Sequence, residues 1–467
     1  MPQTGPKPRP AGRMLAESGR QETISTSALR RPRAKGYRKS RIMPFQGRLV
    51  PRGQLLARPA SQPAGTTQSV AYELGNLLQL DRDHCLLVAS LDEQGGGDKC
   101  VGNDGFVIRS LADVRAERAI PLNRPDPSFT LVDGKKAWLS KGPATGGFVP
   151  LGAVRDDGSP HPAAGSGFLG ASCINFNEAG TSMESGCEAL IEFLELRWDG
   201  RRLTVKAELI RSLMGLPVVG QAMCGFLPDG DGFLAPFLTE RGNVMFRFEL
   251  QGNKWTAVAQ GEPFMAKPVT GPIGHFNSAT DAETAETECC VRKANGAYWA
   301  STRGNDAMGR LYRSTDGLNY HLFLEHPTHT VPQPLNQGLD GNLYLATNPF
   351  PGPDGAWLRN PLVIRPFEGD RFGDPIIAHD VDGIRTQTGD QIPFVDHAMG
   401  SNVHLEGRWR HFLCFRVSDL KERTVYTFQK DLKAMLGEPR ARSSKSGLYA
   451  VEIEYDRVTH TPFRFGR

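Results

Sequence analysis

No stretch of this 467-residue chain approaches the roughly 18 consecutive apolar residues that a membrane-spanning helix needs. Nor does a run of about 7 to 15 apolar residues follow the basic amino end, as a secretory leader would require. A helical membrane protein is excluded, and with no export signal visible the compartment is left open. Helical periodicity is scarce, the best short stretch being FQKDLKAML at 428–436. None of the eight cysteines (Cys85, Cys100, Cys173, Cys187, Cys224, Cys289, Cys290, Cys414) stands in a CxxC pair, so a structural zinc site is not expected. Adjacent Cys289 and Cys290 would point to opposite faces of a strand, at least one of them as a small core residue. Apolar residues make up only 39% of the chain, which favours many short, half-solvated elements over long buried ones. Glycine (52) and proline (34) supply turns but are too sparse for a collagen-like or low-complexity chain.

The formal net charge of +4 hides a division. Residues 1–60 hold 14 Lys and Arg against Glu17 and Glu22, whereas the remainder holds 41 bases and 49 acids. A basic head on an acidic body argues against a nucleic-acid-binding domain, which would carry its positive charge on the folded surface that meets phosphate. The head has too little apolar content to fold alone, with Arg30, Arg31, Arg33, Lys35, Arg38, Lys39 and Arg41 among Pro, Ser and Gly. It is read as a disordered tail over 1–60, with Met43 an alternative start, and 61–467 as a single domain.

One pattern recurs along that domain: an apolar strand, a tight turn built on Asp-Gly or a relative, and a second apolar strand. It occurs at 77–90, 130–140, 195–207, 226–237, 290–304, 335–348 and 403–415. Successive turns from Arg82 to Glu406 are about 54 residues apart on average, room for four strands and their loops. Four-stranded antiparallel units at such a spacing are propeller blades. The expected fold is all-β, a β-propeller of seven blades, or of six if 195–207 is the outer half of a blade. A β-sandwich with extra hairpins is the competing fold.

Turn arithmetic then places polar pairs. A two-residue turn at Asn295-Gly296 sets Arg292 opposite Trp299, Cys290 opposite Ser301 and Glu288 opposite Arg303, with Cβ atoms about 4.5–5.5 Å apart. The same reasoning at Asp340-Gly341 sets Gln333 opposite Asn348, and at Glu406-Gly407 it sets His397 opposite Arg416. Polar pairs at one height on three successive inner hairpins converge on a propeller axis, where a binding site is the default expectation. Of the tryptophans Trp138, Trp198, Trp255, Trp299, Trp357 and Trp409, most read as blade packing, and Trp357 as exposed.

The segment Ser314 to Tyr320 (SerThrAspGlyLeuAsnTyr) resembles the Asp-box of the sialidase (neuraminidase) superfamily, a turn between the outer strands of a blade. Its Ser and Asp side chains bond back to turn amides, its Gly supplies a positive φ, and its aromatic pins the hairpin. The resemblance covers residues 70–456 loosely. It implies a sialidase-like propeller acting on carbohydrate, a hydrolase of glycosidic bonds, in a family usually secreted or periplasmic. It also implies that Glu288 is a carboxylate of the active site and that Arg303 and Arg359 hold an anionic sugar group. The sequence departs from the family in two places. The first arginine of the family's carboxylate-binding triad is missing, and Phe394 stands roughly where the nucleophilic tyrosine would be. Asp396 and His397 offer a second proton-transfer group instead.

The catalytic candidates are therefore Glu288, His397 and Asp396, and the substrate-binding candidates Arg303, Arg359, Arg416, Gln333, Asn348 and His329. No metal or cofactor is expected, since His326 and His329 lack a spaced third ligand. The expected partner is an acidic or uronate-containing glycan, bound by a monomer without membrane insertion or nucleic acid. The rival readings are a polysaccharide lyase, similar in outline to propeller ulvan lyases, and a non-catalytic propeller that binds glycan or protein.

Overall fold

The computed structural model describes residues 47–49, 54–57, 71–92, 102–115, 117–131, 134–177, 190–221, 224–239, 241–265, 286–304, 306–328, 331–349, 359–380, 391–421 and 447–466. All lie in the unit Met43–Arg467. The stretch up to Ile42, residues Cys100, Cys187, His329 and Trp357, the segment 428–436 and the side chain of Phe394 lie outside the described residues.

Among the described residues, short alternating segments and tight turns give six antiparallel sheets of four or more strands, each a blade of a six-bladed β-propeller, and one two-stranded pair of Ala153–Val154 with Arg464–Phe465. Blade I comprises Ala71–Gln79, Cys85–Asp92, Asn103–Ile108 and Ile120–Asn123. Blade II comprises Lys136–Val149, Ser166–Asn177, Leu190–Trp198 and Leu203–Ile210, with Asp126–Thr130 added beside its first strand. Blade III is built on Leu216–Gln221, Gly232–Thr239, Gly242–Gln251 and Lys254–Gln260. Blade IV comprises Glu286–Ala294, Ala297–Gly304, Met308–Ser314 and His321–Pro327. Blade V comprises Leu335–Gln337, Leu343–Thr347, Leu362–Pro366 and Ile376–His379. Blade VI takes Gln391–Leu405, Arg408–Lys421 and Gly447–Tyr455, and its outer edge is completed by Gly47–Leu49 and Gln54–Ala57, from within the stretch expected to be a tail.

The favoured count of seven blades is corrected to six. Two of the seven hairpins, 130–140 and 195–207, belong to the same sheet, one joining the added strand to the first strand of blade II and the other forming that blade's outer pair. A turn signal marks a hairpin but not its place in a sheet.

Apolar side chains between blades hold the ring. Phe168 and Phe193 of blade II pack with Phe233, Phe237, Phe248 and Trp255 of blade III, each buried aromatic contributing about 1.5–3 kcal/mol. Tyr72, Leu87 and Phe106 of blade I meet Val403, Phe412 and Leu448 of blade VI, which closes the circle. Trp198, Trp255 and Trp299 are buried in such packing. Cys224, in a segment of blade III, forms a disulfide with Cys290 on the first strand of blade IV, Cα atoms 5.2 Å apart. Its neighbour Cys289 is a buried free thiol in a different apolar cluster, so the two adjacent cysteines do face opposite ways.

The turn Ser314–Tyr320 joins the third and fourth strands of blade IV and has the local bonding its sequence implies. Ser314 Oγ accepts from Gly317 N (2.9 Å), Asp316 Oδ1 accepts from Leu318 N and Asn319 N (2.9 and 2.8 Å), and Gly317 has φ +79°. Tyr320 is buried with its ring centroid 5.0 Å from that of Phe264.

Candidate active site

The first strands of neighbouring blades touch at the I–II, III–IV, IV–V, V–VI and VI–I junctions. Asn103 Nδ2, at the start of the third strand of blade I, donates to Gly142 O within the first strand of blade II, and Asn243 Nδ2, near the start of the third strand of blade III, to Glu286 O at the start of the first strand of blade IV, both at 3.0 Å. At the far ends of the first strands, Gln79 Nε2 donates to His404 O and Asn402 Nδ2 to Gln337 O, again at 3.0 Å. The face where first strands begin carries the candidate residues of blades IV, V and VI.

On blade IV the expected pairing holds near the turn and shifts beyond it. Arg292 pairs Trp299 and Cys290 pairs Ser301, but Arg303 pairs Thr287 rather than Glu288. A β-bulge places Glu288 and Cys289 together opposite one partner residue, and Glu288 adopts φ +55°. The bulge nonetheless delivers the contact that the arithmetic anticipated: Arg303 Nη1 donates to Glu288 Oε1 at 2.7 Å. Glu288 is only 7% exposed, and its Oε2 has no hydrogen-bond partner among the described residues.

Blade VI repeats the device. Met399 pairs Cys414 as expected, but Arg416 pairs Asp396, not His397, because His397 and Ala398 form a bulge and His397 takes φ +53°. Side chains with a Cβ seldom adopt this left-handed conformation, and its recurrence at two candidate residues marks a place where backbone strain aims a side chain. Arg416 donates Nε to Asp396 Oδ1 (2.8 Å) and Nη2 to Oδ2 (3.1 Å). Arg359, just before the third strand of blade V, donates Nη1 to Asp396 Oδ2 at 2.6 Å. Burial alone would raise the Asp396 pKa, yet Arg416, His397 and Arg359 together hold it well below the usual carboxylate range.

His397 Nδ1 lies 3.0 Å from Asp396 Oδ1 and 3.2 Å from Arg416 Nη2. With its proton on Nδ1 the ring donates to Asp396 and keeps a lone pair at Nε2; with the proton on Nε2 it accepts from Arg416.

Gln333 and Asn348 do not face each other. Leu335 pairs Leu345 and Gln337 pairs Leu343, so Gly338–Asn342 form a five-residue turn and the register slips by one. Gln333 Nε2 donates instead to Thr347 Oγ1 (2.8 Å), Thr328 Oγ1 (2.9 Å) and Val331 O (3.0 Å). Asn348 Nδ2 donates to Pro361 O (2.9 Å) and to Val395 O of blade VI (3.0 Å). Both amides act as ties within and between blades.

Sequence reasoning missed a second polar group on this face. Lys141 Nζ of blade II donates to Glu192 Oε1 and Asn123 Nδ2 of blade I to Glu192 Oε2, both at 2.7 Å. Beside it, Asp104 accepts from Tyr72 OH (2.7 Å) and Arg124 Nη2 (2.5 Å). On blade IV, fully buried Glu286 accepts from Thr302 Oγ1 (2.8 Å) and Tyr312 OH (2.5 Å). The available signal was a charge inside an apolar strand, as in Leu190-Ile191-Glu192-Phe193-Leu194. Among the described residues no group of three or more His, Cys, Asp or Glu side chains is disposed to hold a metal ion.

No family model matches the chain, and no curated protein matches its sequence. Solved structures with a similar outline include the sialidase of Trypanosoma rangeli in complex with sialic acid (10% identity, TM-score 0.46). That match covers 87% of this chain and 58% of the sialidase, so the chain spans less than two thirds of its length. A mutant NanB sialidase of Streptococcus pneumoniae matches at 10% identity and TM-score 0.47, covering 86% of this chain and 70% of that one. The exo-β-1,3-galactanase of Phanerochaete chrysosporium matches at 9% identity and TM-score 0.40, covering 79% and 81%. At these identities and scores the likenesses carry nothing about chemistry, and function rests on the residues themselves.

Proposed function

We propose that the chain is a glycoside hydrolase acting on an acidic or uronate-containing glycan at the face where its first strands begin. The observation that carries this reading is Glu288: a buried carboxylate, thrust out by a left-handed bulge, with one oxygen on Arg303 and the other without a partner among the described residues. Its carboxylate would take the proton of an attacking water or itself attack the anomeric carbon. As the glycosidic C–O bond breaks, His397 would give a proton to the departing sugar oxygen, and Asp396 would keep that imidazole in place. Counting Arg303, Arg359 and Arg416 against Glu288 and Asp396 leaves one positive charge, which an acidic group on the sugar would balance.

The test incubates the protein and its Glu288→Gln variant with acidic polysaccharides and aryl glycosides, reading both new reducing ends and the near-ultraviolet absorbance of unsaturated uronates. Reducing ends without that absorbance, lost in the variant, support hydrolysis. A second reading, β-elimination, is favoured by the strained His397 held against Asp396, and absorbance would replace hydrolysis with it. Glycan retention without turnover would leave a binding propeller.

A further inference from the structure

The three arginines of the site face differ in what already holds them. Asp396 receives three N–H bonds from Arg359 and Arg416 and the Nδ1 contact of His397. All four residues are more than nine-tenths buried. Asp396 is also fixed from below, because its neighbour Val395 donates its N–H to Arg359 O (2.7 Å) and accepts from Asn348 Nδ2. Arg303 is more open: its side chain is 17% exposed, one N–H reaches Glu288, and its Nε has no partner among the described residues.

We infer that Asp396 is the resident anion of the Arg359–Arg416 pair and a specificity-determining residue. It closes the blade V–VI side of the site to negatively charged sugar groups, leaves an acidic group of the substrate to Arg303, and admits a neutral, hydroxyl-bearing part of the glycan beside His397. A carboxylate brought to Arg359 or Arg416 would compete with the bonds that both already make to Asp396 and would meet its like charge within a few ångströms, in surroundings with little water to screen it. Arg303 has a side-chain exposure of 17% against 8% for Arg359 and 4% for Arg416 and gives one N–H to Glu288, so of the three it is the one that an anion reaches most readily from solvent.

Which sugar is excluded rests on the glycan reading above, but the exclusion itself can be measured without substrate. Thermal unfolding is followed while formate replaces chloride at constant ionic strength. The wild-type midpoint should not respond. Asp396→Ala should unfold at a lower temperature and regain several degrees as formate fills the emptied position, saturably, and Arg416→Gln added to it should remove the response. Should Asp396→Ala not fold, Asp396→Gly leaves the position equally open and should show the same formate dependence. A saturable formate effect on the wild type that Arg359→Gln or Arg416→Gln abolishes would overturn the inference, as would no formate response in either Asp396 variant. Failure of the glycan panel alone would leave this result standing.

Discussion

Replacing Glu288 by alanine and, separately, by glycine distinguishes its charge from its backbone. Both variants lose the carboxylate and the Arg303 contact, so their difference reports the backbone: the left-handed φ of the folded chain and the freedom of the unfolded one. A Cβ in that region costs about 1–2 kcal/mol, which glycine avoids. Glycine in turn gives the unfolded chain about 0.4–1 kcal/mol more conformational freedom. The balance leaves Glu288→Gly about 0.5–1 kcal/mol more stable than Glu288→Ala, and the same comparison at His397, with φ +53°, should have the same sign. Urea unfolding followed by fluorescence resolves a difference of this size through the shift in midpoint at constant slope. Both glycine variants should at the same time lose any turnover that the wild type shows, since strain is kept at these positions for what it presents. If alanine equals or exceeds glycine at both sites, the bulges are relaxed and the argument from strain fails.

Non-reducing peptide mapping should recover Cys224 linked to Cys290, and Cys290→Ser should lower stability by about 4 kcal/mol if closure of that loop of the unfolded chain sets the effect; an unchanged urea midpoint would refute the link. Burial pushes His411 down to about 3 and His326 down to about 4, with Arg292 and Arg365 respectively adding to it. Both folded-state values lie below the ordinary one, so the unfolded chain binds more protons, and stability should fall as pH drops from about 6.5 towards 4. His411→Gln should flatten that slope, and a wild-type stability constant over the window would contradict it. Gly317→Ala should cost about 1–2 kcal/mol, because φ is +79° and a Cβ would stand 2.7 Å from Leu234 and 3.1 Å from the Tyr298 ring; a neutral result in thermal unfolding would mean that the turn relaxes.

How far the fold was legible depended on distance from a turn. Asn295 and Gly296 both take positive φ, as their types imply, and the residues nearest them pair where counting puts them. The count fails past Cys290 and past Met399 because a bulge inserts one residue, and neither bulge carries the glycine that would have announced it. At Gln333 the error lay in the turn itself, which Asp340 extends by accepting from Asn342 N at 3.0 Å. The ion cluster around Asp396 was half visible: Asp396, His397 and Arg416 follow from one hairpin, whereas Arg359 reaches them from another blade. Lys141 and Glu192 were invisible for the same reason, being 51 residues apart and joined only by the sheet between them.

The closing of blade VI has a kinetic consequence. Leu49 pairs with Ile453, so the first of the described strands to be synthesised finds its place only after about 400 further residues have been made. Blades I to V can form behind the ribosome as each is completed, but the outer edge of the last one stays open until Gly447–Tyr455 emerges. A truncation at residue 60 would remove Gly47–Leu49 and Gln54–Ala57 and leave that edge exposed to pairing with another chain. Fragments starting after these strands should aggregate during expression, whereas those starting at Met43 retain the strands that cover it.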